Sequence, residues 1–245
     1  MMVRRSTEEH QGVRELEDRS TPWLYVELGD ATGTSCAGRV DALVQVAGVD
    51  RVTWWENCSF ERTDLPMRIR DGRTLIVAEA RAQFVPPPPG SEASEAHLFQ
   101  RTARPSQGIL TGDPTLGLLI VWIGPREPDQ AAALRDWGDF VHIRHIAAAA
   151  IPGFTQISVY ENSAADDPRY MHFYEFDNED AEGTFSTMIE HVAPRLGGTD
   201  STAYTEWADW RLASGRLFYC NTFRRLGERE GSDRSSAPRR VPTAG

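Results

Sequence analysis

Short apolar runs recur along this chain, and most of them stop at a turn residue. Trp23-Leu24-Tyr25-Val26-Glu27-Leu28-Gly29 and Leu118-Leu119-Ile120-Val121-Trp122-Ile123-Gly124 are compact runs closed by glycine, the pattern of a buried strand. Gly48 leads nine residues on to Asn57 through Trp55-Glu56, and Gly153 leads nine residues on to Asn162 through Tyr160-Glu161. A third strand follows each time, Leu75-Ile76-Val77-Ala78-Glu79 and Met171-His172-Phe173-Tyr174-Glu175. A weaker match sets Leu98-Phe99-Gln100-Arg101-Thr102 beside Phe218-Tyr219-Cys220-Asn221-Thr222.

Helical stretches fall between these runs. The spacing predicts a short helix over 35–47 and a long one over 129–150, which stops before Pro152-Gly153. Another is expected over 180–192. In the first half the stiff spacer Pro86-Pro87-Pro88-Pro89-Gly90 takes that slot. The order β-α-β-β-(α)-β therefore occurs twice, an α+β arrangement of two tandem ferredoxin-like repeats. Each such sheet has a bare face that a second copy would cover. Residues 21–112 are expected to form the first, degenerate repeat and residues 113–227 the second. Residues 1–20 and 228–245 are polar and low in hydrophobic content, and are expected to be poorly ordered.

Composition removes whole classes of chemistry. The chain has no lysine, so its 26 basic residues are all arginine. Schiff-base chemistry, pyridoxal phosphate attachment and a P-loop each need that missing amine. The net charge of -10 argues against a nucleic-acid partner and against docking on anionic membrane. Three scattered cysteines, Cys36, Cys58 and Cys220, give no metal spacing and read as reduced thiols. With no signal peptide or membrane span in the pattern, a cytoplasmic location is expected.

Candidate chemistry gathers in the second half, which holds His142, His145, His172 and His191, four of the six histidines. At ~100° per residue Trp137, Val141, Arg144 and His145 share one side of the long helix, with Asp139, His142 and Ile146 beside them. Asp139 stands three residues before His142, close enough for a carboxylate to orient an imidazole. Strand alternation suggests one polar-aromatic face carrying Gln156, Ser158, Tyr160, His172, Tyr174, Tyr219 and Asn221. Aromatic walls with a few polar tips suit a small-molecule pocket. Three readings of His142 stay open: a general acid–base, a packed core histidine, or a metal or haem-iron ligand. Trp54-Trp55 reads as packing against the other sheet, and Glu79 and Glu175 as structural. His97 is placed outside the pocket. No nucleophile elbow, Cys–His pair or dinucleotide fingerprint occurs.

The combination of Trp137, Asp139, His142 and Pro152-Gly153-Phe154 resembles the EthD-like branch of the dimeric α+β barrel superfamily. Glu56-Asn57 and Glu161-Asn162 fit a tandem form, a pseudo-dimer on one chain, over roughly residues 22–226. Gly138 departs from the family, which more often has an aromatic there. The resemblance implies a small pocket between helix and sheet, usually without an organic cofactor.

The expected activity is a cofactor-independent proton transfer (dehydration, isomerisation or cyclisation) on an aromatic or polycyclic apolar substrate. His142, Asp139, His172 and Tyr174 would carry it. Trp137, His145, Trp122, Ser158, Tyr160, Tyr219 and Asn221 would bind. Alternatives are a cofactor-free monooxygenase, a haem-binding enzyme and a non-catalytic ligand binder. Neither a metal nor a cofactor is required, although haem remains open, and a monomer or homodimer fits.

Overall fold

A computed structural model describes residues 21–109 and 111–231. The eight strands are β1 (Trp23–Gly29), β2 (Val49–Asn57), β3 (Thr74–Ala80), β4 (Ala93–Arg101), β5 (Gly117–Pro125), β6 (Phe154–Asn162), β7 (Tyr170–Phe176) and β8 (Gly215–Glu230). They close into one barrel in the order β1-β3-β2-β8-β5-β7-β6-β4. Each half alone reads fourth-first-third-second, the ferredoxin-like order. The halves join edge to edge, by β2 on β8 and by a short β4–β6 pairing that matches Phe99–Arg101 with Asn162–Tyr160. The β4–β6 seam closes the sheet through only these three residue pairs, which limits the strand edge left for pairing with strangers.

The barrel is filled rather than hollow at its middle. Leu24, Val26 and Trp55 meet Ile120, Trp122, Met171 and Phe223 in one buried cluster drawn from both halves. Helices cover the outside. In the first half α1 (Gly33–Val44) stands alone on the sheet. In the second, α2 (Ala131–Trp137), a π-helical turn (Gly138–Ile143) and α3 (Arg144–Ala148) form one continuous rod. Alongside it lie α4 (Ala181–Ser186), α5 (Met188–Val192) and α6 (Thr202–Ala208). The last helix was not expected from the pattern.

Register tests each matched pair. Trp55 faces Leu75 across β2–β3, and Tyr160 faces Met171 across β6–β7, so those matches coincide in space. Asn57 and Asn162 end their strands alike. Each side-chain carbonyl accepts an amide two residues on, from Ser59 at 2.9 Å and Ala164 at 3.0 Å. Each amide donates to a loop carbonyl, Gly72 at 2.8 Å and Pro168 at 3.2 Å. Gly48 and Gly153 enter the strands with φ of +89° and +90°, a left-handed turn that glycine makes without strain.

Two matches slip. Leu28 faces Leu75 as Trp122 faces Met171, so Leu28 corresponds to Trp122 and the first-strand match is off by one residue. Phe99 sits opposite Asn162 as Phe223 sits opposite Asn57, so the weak last-strand match is off by four. β8 also runs past the expected tail boundary: Glu228, Arg229 and Glu230 pair with Thr53, Val52 and Arg51. Gly231 follows, its amide donating to the Asp50 carbonyl at 2.8 Å; residues 232–245 and 1–20 lie outside the described residues.

Candidate functional site

The π-helical turn decides how the second-half histidines sit. An α-helix turns residues five apart by roughly 140° from one another. The wider π turn brings Trp137 and His142 onto one stripe, stacked at 4.9 Å between ring centroids and 27° between planes. Trp207 of α6 also stacks on His142, at 5.2 Å and 14°. The two residues also exchange hydrogen bonds. His142 Nδ1–H donates to the Trp207 carbonyl at 3.0 Å, and the Trp207 indole N–H donates to the His142 carbonyl at 3.0 Å. The Trp137 indole N–H donates to the Glu206 carbonyl at 2.8 Å. Burial pushes the imidazole of His142 down to about 4. His172 lies 6.4 Å beyond it, and burial pushes its imidazole down to about 3. Both rings are neutral at pH 7, well below the range suited to proton transfer there.

Asp139 does not orient His142. Its Oδ2 faces Arg104 Nε at 2.9 Å, and Arg104 also reaches Asp136 at 2.7 Å. Burial raises the Asp139 carboxyl to about 6 in spite of Arg104 and Arg135. The turn's pitch sends the three-apart pair to different partners. Gly138 makes room for His172: a Cβ there would lie 3.0 Å from His172 Nε2, so the missing side chain admits that ring. Gly138→Ala should cost about 1–3 kcal/mol by overpacking, read as a lower urea midpoint at unchanged slope.

The expected polar-aromatic face is two faces. His172 and Tyr174 of β7 pair with Val159 and Ile157 and point toward the helices, with Tyr174 in the helix-side core. Tyr160, Tyr219 and Trp122 point into the barrel core. Ser158, one step from Val159 and from Ile157, shares the barrel side and shares a 2.6 Å hydrogen bond with Ser106. Asn221 also faces inward, where its amide donates to Ser59 O at 3.0 Å and Asp71 Oδ2 at 3.1 Å. His145 is half-buried, and burial lowers its imidazole, helped by Arg144 and Arg195. The structure therefore unites Trp137, His142, His172 and Tyr174 and leaves the other predicted residues elsewhere. The carboxylate-paired histidine is His97, whose Nε2 lies 3.1 Å from Glu95 Oε2. Two residues apart on β4, they share a strand face, a spacing visible in the sequence.

These titrations predict acid sensitivity with a definite sign. Between about pH 4.5 and 5.5 the unfolded chain holds protons on both histidines that the folded chain lacks, while the folded chain holds one on Asp139 that the unfolded chain lacks. The net of about one proton makes these groups lose about 1.4 kcal/mol of stability per unit as pH falls. His142→Asn should remove one of the two imidazole contributions and flatten that slope in urea unfolding. An unchanged slope would show that His142 is not the group being charged.

The Trp137 and Trp207 rings stack on His142, whose Nδ1–H is committed to the Trp207 carbonyl, in a layer with Ile143, Ile146, Tyr174 and Leu196. Among the described residues no group of three or more His, Cys, Asp or Glu stands together as a metal site. None of the described helices is long and apolar enough to cross a membrane.

Over the first half the helix–sheet slot is open. A cavity of about 500 Å³ lies between α1 and the sheet, walled by Trp54, Phe60, Val40 and Cys36, with Thr32, Thr74 and Arg73 at one end. Register explains why it exists. Thr74 faces Glu56 as Tyr170 faces Glu161, so the helix-facing β3 residues Thr74, Ile76, Ala78 and Ala80 stand where β7 has Tyr170, His172, Tyr174 and Phe176. Tyr170 fills its slot and donates to the Ala131 carbonyl at 3.0 Å. Thr74 leaves the corresponding slot unfilled. Trp54 is thus a cleft wall, whereas Trp55 packs in the barrel as expected. Glu79 is bound by Arg51 through Nε and Nη2, both at 2.9 Å, and by Thr21 at 2.8 Å, in keeping with a structural role.

The barrel places the chain in the fold of the dimeric α+β barrel superfamily. An anthrone oxidase-like protein superposes with a TM-score of 0.54 at 13% identity, over 87% of this chain and 95% of that one. A chlorite dismutase variant from Candidatus Nitrospira defluvii gives a TM-score of 0.47 at 8% identity, over 88% and 95%. Neither a protein-family model nor a curated protein sequence matches the chain.

Proposed function

We propose that this protein binds a small, flat, aromatic molecule in the cleft between α1 and the first-half sheet. The observation that carries the reading is the cavity of about 500 Å³ with Trp54 and Phe60 as its walls. Ligand sites of ~300–1,000 Å³ with aromatic linings and a few polar groups are the common form of small-molecule pocket. The substrate class expected from the sequence is kept, while its place in the molecule changes.

Binding without turnover is favoured over proton transfer. No histidine lines the cleft; its one lining carboxylate, Glu56, is engaged by Arg224, and burial raises the Cys36 thiol. His142 and His172 belong, in this reading, to the packing of the second helical layer. The equal strand order of the halves supports a fused pseudo-dimer of two ferredoxin-like repeats, one with its helix–sheet slot open and one with it filled. Kinship to the EthD-like branch would then extend to the fold and the Trp137–His142 segment, without the acid–base role.

The test is a fluorescence titration with a naphthalene-type probe. Trp54→Ala should weaken binding about tenfold or more, since one aromatic wall contributes on the order of 1.4 kcal/mol. Trp137→Ala, in the other half, should leave affinity unchanged. The reverse pattern would move the site to the second half.

A further inference from the structure

We infer that the ligand of this cleft is an aromatic acid, with its anionic group seated at the amino end of α1 and its ring between Trp54 and Phe60. The inference rests on the binding reading above and names the chemical class of its ligand. Three features meet at one end of the cavity. Thr32 and Gly33, which start the 12-residue helix α1, line it. The first helical hydrogen bonds run from the amides of Ser35 and Cys36 to the Thr32 carbonyl, so the amides of Gly33 and Thr34 come before any partner in the helix. A capping box between Thr32 and Ser35 covers part of that end, and the first turn adds no acidic residue for the amides of Gly33 and Thr34. A helix amino terminus left this way favours a negative charge.

Thr74 adds an independent sign. It is 5% exposed, lines the same cavity, and its hydroxyl has no hydrogen-bond partner among the described residues. Lining the cavity, the hydroxyl is left to donate to an acceptor placed there. Arg73 adjoins it, its guanidinium 4.1 Å from the centroid of the Phe60 ring. A cation held over that wall suits an anion beside it and an aromatic body beneath. The opposing charge is Glu56, already held by Arg224. Farther along α1 the lining is mostly apolar, Cys36, Ala37, Val40 and Leu226, and the Arg229 that also lines it is paired with Asp41, so the Thr32 end suits an anion and the rest a ring.

Calorimetric titration of the full chain with 2-naphthoate and with its neutral isostere 2-naphthamide, at pH 7.5, tests this. The carboxylate should bind about tenfold or more tightly, as a charge-assisted hydrogen bond and a helix terminus together would give. Thr74→Val, which keeps the shape, should shrink the ratio of the two affinities. Equal binding of both compounds would overturn the inference and leave the binding reading intact. Failure of both to bind would overturn the two together, and a ratio unmoved by Thr74→Val would remove Thr74 from the anion seat.

Discussion

Replacing Glu27 by alanine should lower the melting temperature by roughly 10 °C or more, the largest stability loss expected from a single substitution in the first half. Glu27 is 3% exposed beneath α1. Its carboxylate accepts from Arg39 Nε and Nη2, both at 2.7 Å, from Tyr25 OH at 3.0 Å and from the Gly90 amide at 2.9 Å. One carboxylate therefore ties the helix, the first strand and the end of the proline spacer together. Removing it strands a guanidinium whose side chain is 14% exposed. Breaking a buried pair in this way costs about 3–5 kcal/mol. Glu27→Met combined with Arg39→Leu should recover much of the loss, because neither charge is then left unpaired. A fall of only a degree or two for Glu27→Ala would mean that water already solvates Arg39.

Filling the cleft should abolish binding. Thr74→Tyr copies into β3 the residue that β7 carries at the matching register, where Tyr170 closes the second-half slot. The phenol would take the place of the ligand's ring. Affinity for a naphthalene-type probe should fall about 100-fold or more, equivalent to roughly 3 kcal/mol. Thermal stability should hold or rise, since the added ring fills open space. Retained affinity in a folded Thr74→Tyr protein would place the ligand somewhere other than this cleft.

Much of the barrel was legible in the residues, for reasons that can be named. The glycine-to-asparagine spacing works because both ends of it are structural: a left-handed glycine starts the strand and an asparagine caps its exit loop. Strand identity came through because buried strands are apolar on both faces. That same property hides register. In Trp23–Gly29 and Leu118–Gly124 either face is apolar enough to point inward, so aligning the terminal glycines shifted one strand by a residue and turned its faces over. The polar-aromatic face failed for a related reason. Alternation within a strand says which residues share a side, but not which side the neighbouring strand presents. His172 and Ser158 look alike in this respect and point oppositely.

The helix error has another origin. A period of 3.6 placed Asp139 beside His142, and the π turn at Gly138–Ile143 changed the period locally. His142 then found its partners on α6, a seven-residue helix whose pattern is too short to stand out. The open cleft was nonetheless visible in outline. Once Leu75 is set against Met171, the small residues Thr74, Ala78 and Ala80 stand against Tyr170, Tyr174 and Phe176. Side-chain size along β3, rather than the number of histidines, marks the helix–sheet slot that stands open.

A crystal structure of the protein soaked with 2-naphthoate tests the central claim most directly. The account predicts ligand density between Trp54 and Phe60, with its carboxylate toward Gly33 and Thr74. Density confined to the layer around His142, or none in the α1 cleft at saturating ligand, would contradict it.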